Sequence, residues 1–156
     1  MDQPGTSTMS TTTGLIGLAG LTSLGAGAIH AAAIGVHSEH RPAVLAFTAV
    51  AASRLASGVL ALVRGTRPVA VLGLMVGTGA LAGWALAKVT GIPFVAGLDV
   101  AEPIQTADGL AAGLALMSVL ALGAALWAWR SARPGPRAPL PLRRPSASPP
   151  SPCSAW

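Results

Sequence analysis

All three histidines of this chain, His30, His37 and His40, fall within "HAAAIGVHSEHRP", residues 30–42, together with Glu39. Imidazole and carboxylate groups bind transition metals and exchange protons near neutral pH, so this segment is the first place to look for chemistry. Helix geometry divides it. His30 and His37 share a helix face but stand about 10 Å apart along the axis, too far for one ion held about 2 Å from each nitrogen. His37 and His40 are three residues apart and converge if the last turn stays helical, while Glu39 points away from that pair. A second polar stretch supplies Asp99, Glu102, Gln105 and Asp108. Two imidazoles with Glu102 or Asp108 would hold a divalent ion, copper or zinc by ligand type, and the same groups could relay a proton. The plainer alternative is a polar turn that meets water and lipid head groups. No specific ligand spacing such as HExxH or CxxC is present.

Arg54 offers different chemistry. It lies about eleven residues into the apolar run 43–63, near the midplane if that run crosses a bilayer. Placing an arginine there costs about 2.5–3.5 kcal/mol on translocon scales, which so many Leu, Val and Ala residues offset. No carboxylate lies within any apolar run of the chain except Asp108, at the very start of the fourth. The partners of Arg54 must therefore come from hydroxyls such as Ser23, Thr78 or Ser118, from carbonyls, from water, or from an anionic ligand. Snorkelling to the interface is the structural alternative. A small transporter or channel built around Arg54 is the faintest of the functional readings.

The elements that must position these groups follow from composition. The 156-residue chain is 52% hydrophobic and 10% charged, where a soluble domain carries roughly 25% charged residues. So few charges cannot cover a soluble surface, and the excess apolar surface must face lipid. Runs long enough to cross a bilayer cover about 14–36, 43–63, 68–87 and 107–129. None alternates polar and apolar residues as a membrane barrel must, and backbone groups in lipid need internal partners. The expected fold class is all-α, a polytopic bundle of four transmembrane helices over residues 14–130. Pro42 ends the first helix near His40, Pro68 suits the first turn of the third, and Thr106 is the expected N-cap of the fourth, with Asp108 in its first turn.

Residues 1–13, "MDQPGTSTMSTTT", read as a disordered polar leader. A cleaved signal peptide is the rival reading of this start, with "AGA" at 26–28 as the cut, but the leader lacks the usual basic segment. Residues 131–156 read as a disordered basic tail, since eight of the thirteen prolines lie beyond residue 130. Attraction to anionic head groups is the economical role for that tail, and nucleic acid is not an expected partner. Cys153 stands alone, so no internal disulfide forms.

Orientation follows from Lys and Arg near the helix ends. Arg64 and Arg67 in "RGTRP" and Arg130, Arg133, Arg137, Arg143 and Arg144 lie on one side, against Arg41 and Lys88 on the other. That bias places both termini in the cytoplasm and the histidine turn and the 89–106 loop outside, in a cell membrane. Trp127 and Trp129 then sit at the inner interface and Trp84 near the outer one.

Glycines four apart recur at Gly73 and Gly77, Gly79 and Gly83, and Gly109 and Gly113. Such spacing lets helices approach closely, within the bundle or against a second membrane protein or copy of this chain. No nucleophile motif, phosphate-binding glycine loop or recognisable carboxylate pair appears, so no enzyme activity is expected.

At "IHAAAIGVHSEHRP" and "KVTGIPFVAGLDVAEPIQTADGLAAGLA" the chain resembles small four-helix integral membrane proteins of actinobacteria, a group without an assigned activity. The likeness covers roughly residues 14–130. It implies the bundle architecture and transfers no catalytic role, and Arg54 matches no pattern in that group. The leading expectation is a small accessory or interaction subunit. The alternative is an outward-facing metal or proton site at His37, His40 and Glu102 or Asp108, with His30 deeper in the membrane.

Overall fold

The computed structural model describes residues 4–101 and 103–132. Among them it is all-helical: α1 (Pro4–Val36), α2 (Arg41–Arg64), α3 (Arg67–Val89) and α4 (Thr106–Ser131). Each helix is long and apolar enough to cross a membrane, over Ser10–Val36 in α1 and the full length of the others. The shortest has 23 residues, against roughly 20 needed for a 30 Å hydrocarbon layer. This is the architecture of a multi-pass integral membrane protein. The expected tail lies outside the described residues from 133 onward, as does Glu102.

One boundary differs from the sequence expectation. Residues 4–13, assigned above to a disordered leader, continue α1. No proline interrupts the chain between Pro4, which suits a first helical turn, and the end of α1, and extending a nucleated helix is easier than starting one. Thr12 is buried, so this end of α1 packs against the bundle.

The turns follow from a few residues. α1 stops at Val36, and His40 caps α2 with Pro42 in its first turn. Gly65 ends α2 in the left-handed conformation (φ 51°) and donates its N–H to the Ala61 carbonyl at 3.1 Å, a αL cap that a Cβ would strain. Thr66 then caps α3. The loop before α4 folds back through Ile92 N–H to Leu98 O (2.6 Å), and Gly97 lies at φ 87° against the His40 ring. A Cβ on Gly97 would fall 2.7 Å from that ring. Gln105, one residue before the expected Thr106, caps α4; its N–H donates to Asp108 Oδ2 at 3.4 Å. The cap shifts because Asp108 sits three residues after Gln105, the spacing at which a side chain reaches back to the cap N–H.

α1 packs on α2 and α4, and α3 on α4 and α2, closing a ring in chain order. The interior is made of small residues: Ala19, Ala26, Ala43, Ala51, Ala61, Ala70, Ala111, Ala115, Ala121 and Ala125 are buried, with Ile16 and Leu122. α1 and α2 meet backbone to backbone, since a Cβ on Gly58 would lie 2.9 Å from the Gly20 carbonyl oxygen. Leu21, Leu45, Val63, Met75, Leu110 and Leu120 point outward, so large apolar side chains face lipid and small ones bring the helices together. The two ends differ in charge. Arg67 Nη2 donates to the Trp129 carbonyl (2.8 Å) and its guanidinium lies 5.8 Å from the Trp129 ring, which brings the α2–α3 turn to the end of α4. At the far end Lys88 pairs with Asp108 at 2.6 Å, near the loop that holds Asp99.

Candidate functional site

In an interior built from alanine and glycine, the largest fully buried side chain is an arginine. Arg54 is 0% exposed. It sits near the middle of α2, and the residues around it come from the middle of the other three helices. Gly27 of α1 leaves room at its base, where a Cβ would stand 3.2 Å from the Arg54 Cβ. Gly77 of α3 leaves room at its tip, where a Cβ would stand 3.0 Å from Nη1 and 2.7 Å from Val119 Cγ2 of α4. The side chain therefore leaves α2 beside α1 and ends against the backbone of α3.

Hydroxyls surround this position but are committed elsewhere. Ser23 of α1 and Ser57 of α2 both donate to the Arg54 backbone carbonyl, at 2.9 and 3.1 Å, and their oxygens lie 3.2 Å apart. Ser118 of α4 donates to the Ala19 carbonyl at 3.1 Å, tying α4 to α1. Thr78, another expected partner, is exposed on α3. The hydroxyls thus join helices through carbonyls and leave the guanidinium nitrogens alone. Nε, Nη1 and Nη2 are all buried without a hydrogen-bond partner among the described residues. One more buried donor shares that condition, Trp84 Nε1. Trp84 follows Gly77 by seven residues, so it lies on the same face of α3 about 10 Å along the axis.

A guanidinium presents five N–H donors in a planar fork that fits the two oxygens of a carboxylate, phosphate or sulfate. Out of water, each attraction to an anion is strengthened: two unit charges 4 Å apart interact by about 4 kcal/mol at an effective dielectric constant of 20, against about 1 in water. The arrangement can bind an anion, and among the described residues no acceptor is bonded to the guanidinium to compete.

Each ring of the histidine segment has a partner of its own. His30 Nδ1 bonds the Ala26 carbonyl (2.7 Å) and His37 Nδ1 bonds the Ala33 carbonyl (3.0 Å). A carbonyl only accepts, so both Nδ1 atoms carry hydrogen. The two rings flank Phe47, with centroids 6.1 and 4.7 Å from it. His40 turns the other way, onto Gly97. Glu39 is exposed, Asp99 accepts the Gly97 N–H (3.2 Å), and Asp108 is taken by Lys88 and the α4 cap. Among the described residues no group of three or more His, Cys, Asp or Glu side chains is placed to hold a metal ion, and Glu102 lies outside them.

Sequence reasoning identified Arg54 from its position alone. It treated Trp84 as an interfacial anchor, whereas its N–H is buried; the seven-residue interval from Gly77 is the signal that places both on one face. Lys88 and Asp108 were both assigned to the same end, and the pairing between them emerges only from the packing of α3 on α4.

Comparison with known proteins finds no matching family model, no matching curated protein and no matching solved structure.

Proposed function

We propose that this membrane protein is an anion-binding bundle, in which Arg54 receives an oxyanion group in the centre of the four helices. The observation that carries this reading is the complete burial of the guanidinium with none of its three nitrogens hydrogen-bonded. An unpaired buried charge costs several kcal/mol, and an anion of matching geometry recovers that loss on binding. The donors are held in place before the ligand arrives, which lowers the cost of binding. Arg54 is the only fully buried ionisable side chain among the described residues. A guanidinium that stays charged serves recognition better than proton transfer.

The test is thermal unfolding of the purified protein in mild detergent, in phosphate, acetate and chloride at matched ionic strength, beside Arg54→Met. Phosphate or acetate at 100 times its Kd raises wild-type stability by about 2.7 kcal/mol and leaves Arg54→Met unmoved. Identical responses in the two proteins would remove the reading.

A second reading, the accessory subunit, is favoured by a separate observation. Nothing lies within 4 Å of a Cβ placed on Gly79, Gly83 or Gly113, so the "GALAG" groove faces outward. Another transmembrane helix could seat there. Its test is the oligomeric state, and any co-purifying membrane partner, of Gly79→Ile/Gly83→Ile against wild type.

Orientation belongs with these proposals. Arg64, Arg67 and Arg130 near one end support cytoplasmic termini in a cell membrane. On a background with Cys153→Ser, an impermeant thiol reagent added outside intact cells should label Ser38→Cys and spare Thr66→Cys.

A further inference from the structure

At the arginine-bearing end, a groove opens between α3 and α4, lined by Leu74, Gly123, Leu126, Trp127 and Arg130. Gly123 forms its floor: no atom lies within 4 Å of a Cβ placed there. On α4 the residues at 123, 126, 127 and 130 follow the three- and four-residue spacing of a single helix face. The groove therefore runs about 10 Å along the axis, from an apolar floor among Leu74 and Leu126 to a cation in the last turn of α4. Trp127, 73% exposed, stands beside it at the depth where indole rings meet lipid glycerol.

The charges at this end differ in what they do. Arg67 is engaged by the Trp129 carbonyl and ring. Arg130 is exposed, with no hydrogen bond or ion pair among the described residues. The described carboxylates Glu39, Asp99 and Asp108 all belong to the turns at the other end of the bundle. An apolar channel leading to a free guanidinium matches one class of molecule on a membrane face. That molecule has an alkyl chain below and a phosphate above.

We propose that this groove is a binding site for an anionic glycerophospholipid, with one acyl chain over Gly123 and the phosphate on Arg130. Arg130 supplies a bidentate fork for the phosphate, and the groove supplies apolar contact that a free anion cannot use. The site is separate from Arg54 and independent of whether Arg54 binds anything.

The experiment is native mass spectrometry of the full chain released from mild detergent, with phosphatidylglycerol, phosphatidylcholine or inorganic phosphate added. Wild type retains phosphatidylglycerol over phosphatidylcholine by about fivefold, the ratio equivalent to about 1 kcal/mol for one basic residue at the membrane surface. Arg130→Gln abolishes that preference. Gly123→Ile, which fills the groove and keeps the charge, weakens retention of both lipids. Arg143→Gln/Arg144→Gln in the tail leaves the preference in place. The proposal is overturned if the tail variant lowers the preference as much as Arg130→Gln, which would mean diffuse attraction. It is equally overturned if Gly123→Ile has no effect, or if an Arg54→Met background, which removes the buried guanidinium, retains inorganic phosphate as well as the lipid.

Discussion

Two cations of this bundle meet opposite fates. Lys88, near the end of α3, donates to Asp108 at 2.6 Å and to the Pro103 carbonyl at 3.4 Å, and its partner also caps α4. Arg54, in the middle of α2, is more deeply buried and has no acceptor for any side-chain nitrogen. A carboxylate within reach turns Lys88 into a clasp between α3, the loop and α4. At Arg54 the described residues supply no such group, and the proposal is that this unpaired charge stores binding capacity at a cost in stability. Structure is held at the Lys88 end; recognition is proposed for the middle.

The largest expected effect tests the Arg54 side of that contrast. Replacing buried ion pairs by hydrophobic residues commonly gains about 1–4 kcal/mol, and a lone charge has even less attraction to lose. Arg54→Met should therefore raise stability by about that amount at low ionic strength, read by denaturant unfolding in detergent. A loss of stability would mean that the guanidinium is satisfied from within the bundle. The neighbouring glycine gives the next effect. At Gly77→Leu the new side chain meets Val119 and the Arg54 tip, so about 1–3 kcal/mol is lost to overpacking.

The Lys88 side calls for a double-mutant cycle. Lys88→Met and Asp108→Asn should couple by about 0.5–1 kcal/mol, as a partly exposed pair does, with the single variants loosening the 90–105 loop in hydrogen exchange. Zero coupling would reduce the clasp to a surface contact and erase the contrast with Arg54.

How much of this was readable in advance depends on what each feature rests on. The spans were legible because twenty consecutive apolar residues have few other uses, and α2, α3 and α4 begin and end within two residues of the expected limits. The start of α1 was not legible, because a Ser/Thr-rich leader resembles a loop until it packs, as Thr12 does. Arg54 was visible as a charge in an apolar run. Its lack of partners was not, because each hydroxyl can either accept from the guanidinium or donate to a carbonyl, and only packing decides between the two. The histidines illustrate the same limit. Their spacing allowed His37 and His40 to converge, yet the helix ends at Val36, and His40 turns to Gly97, a residue far away in sequence. Helix rotation was the hardest property to read. Membrane helices are apolar all round, so no polar stripe marks the face that turns outward.

The smallest expected effect exploits that last point. α3 carries two glycine pairs of identical spacing, Gly73 with Gly77 and Gly79 with Gly83. Gly77 and Gly79 are two residues apart, so they point about 200° apart around the helix. The first pair meets Leu122, Val119 and Arg54, and the second meets nothing within 4 Å. Gly79→Leu should consequently leave the stability of the isolated protein within about 0.5 kcal/mol of wild type, beside the much larger loss at Gly77→Leu. A loss at Gly79→Leu that shrinks with dilution in detergent would show that the outward pair is covered by another chain, because an intermolecular contact stabilises the wild type only while it is associated. A loss independent of dilution would instead mean that α3 is rotated from the orientation described, and with it the approach of Gly77 to Arg54.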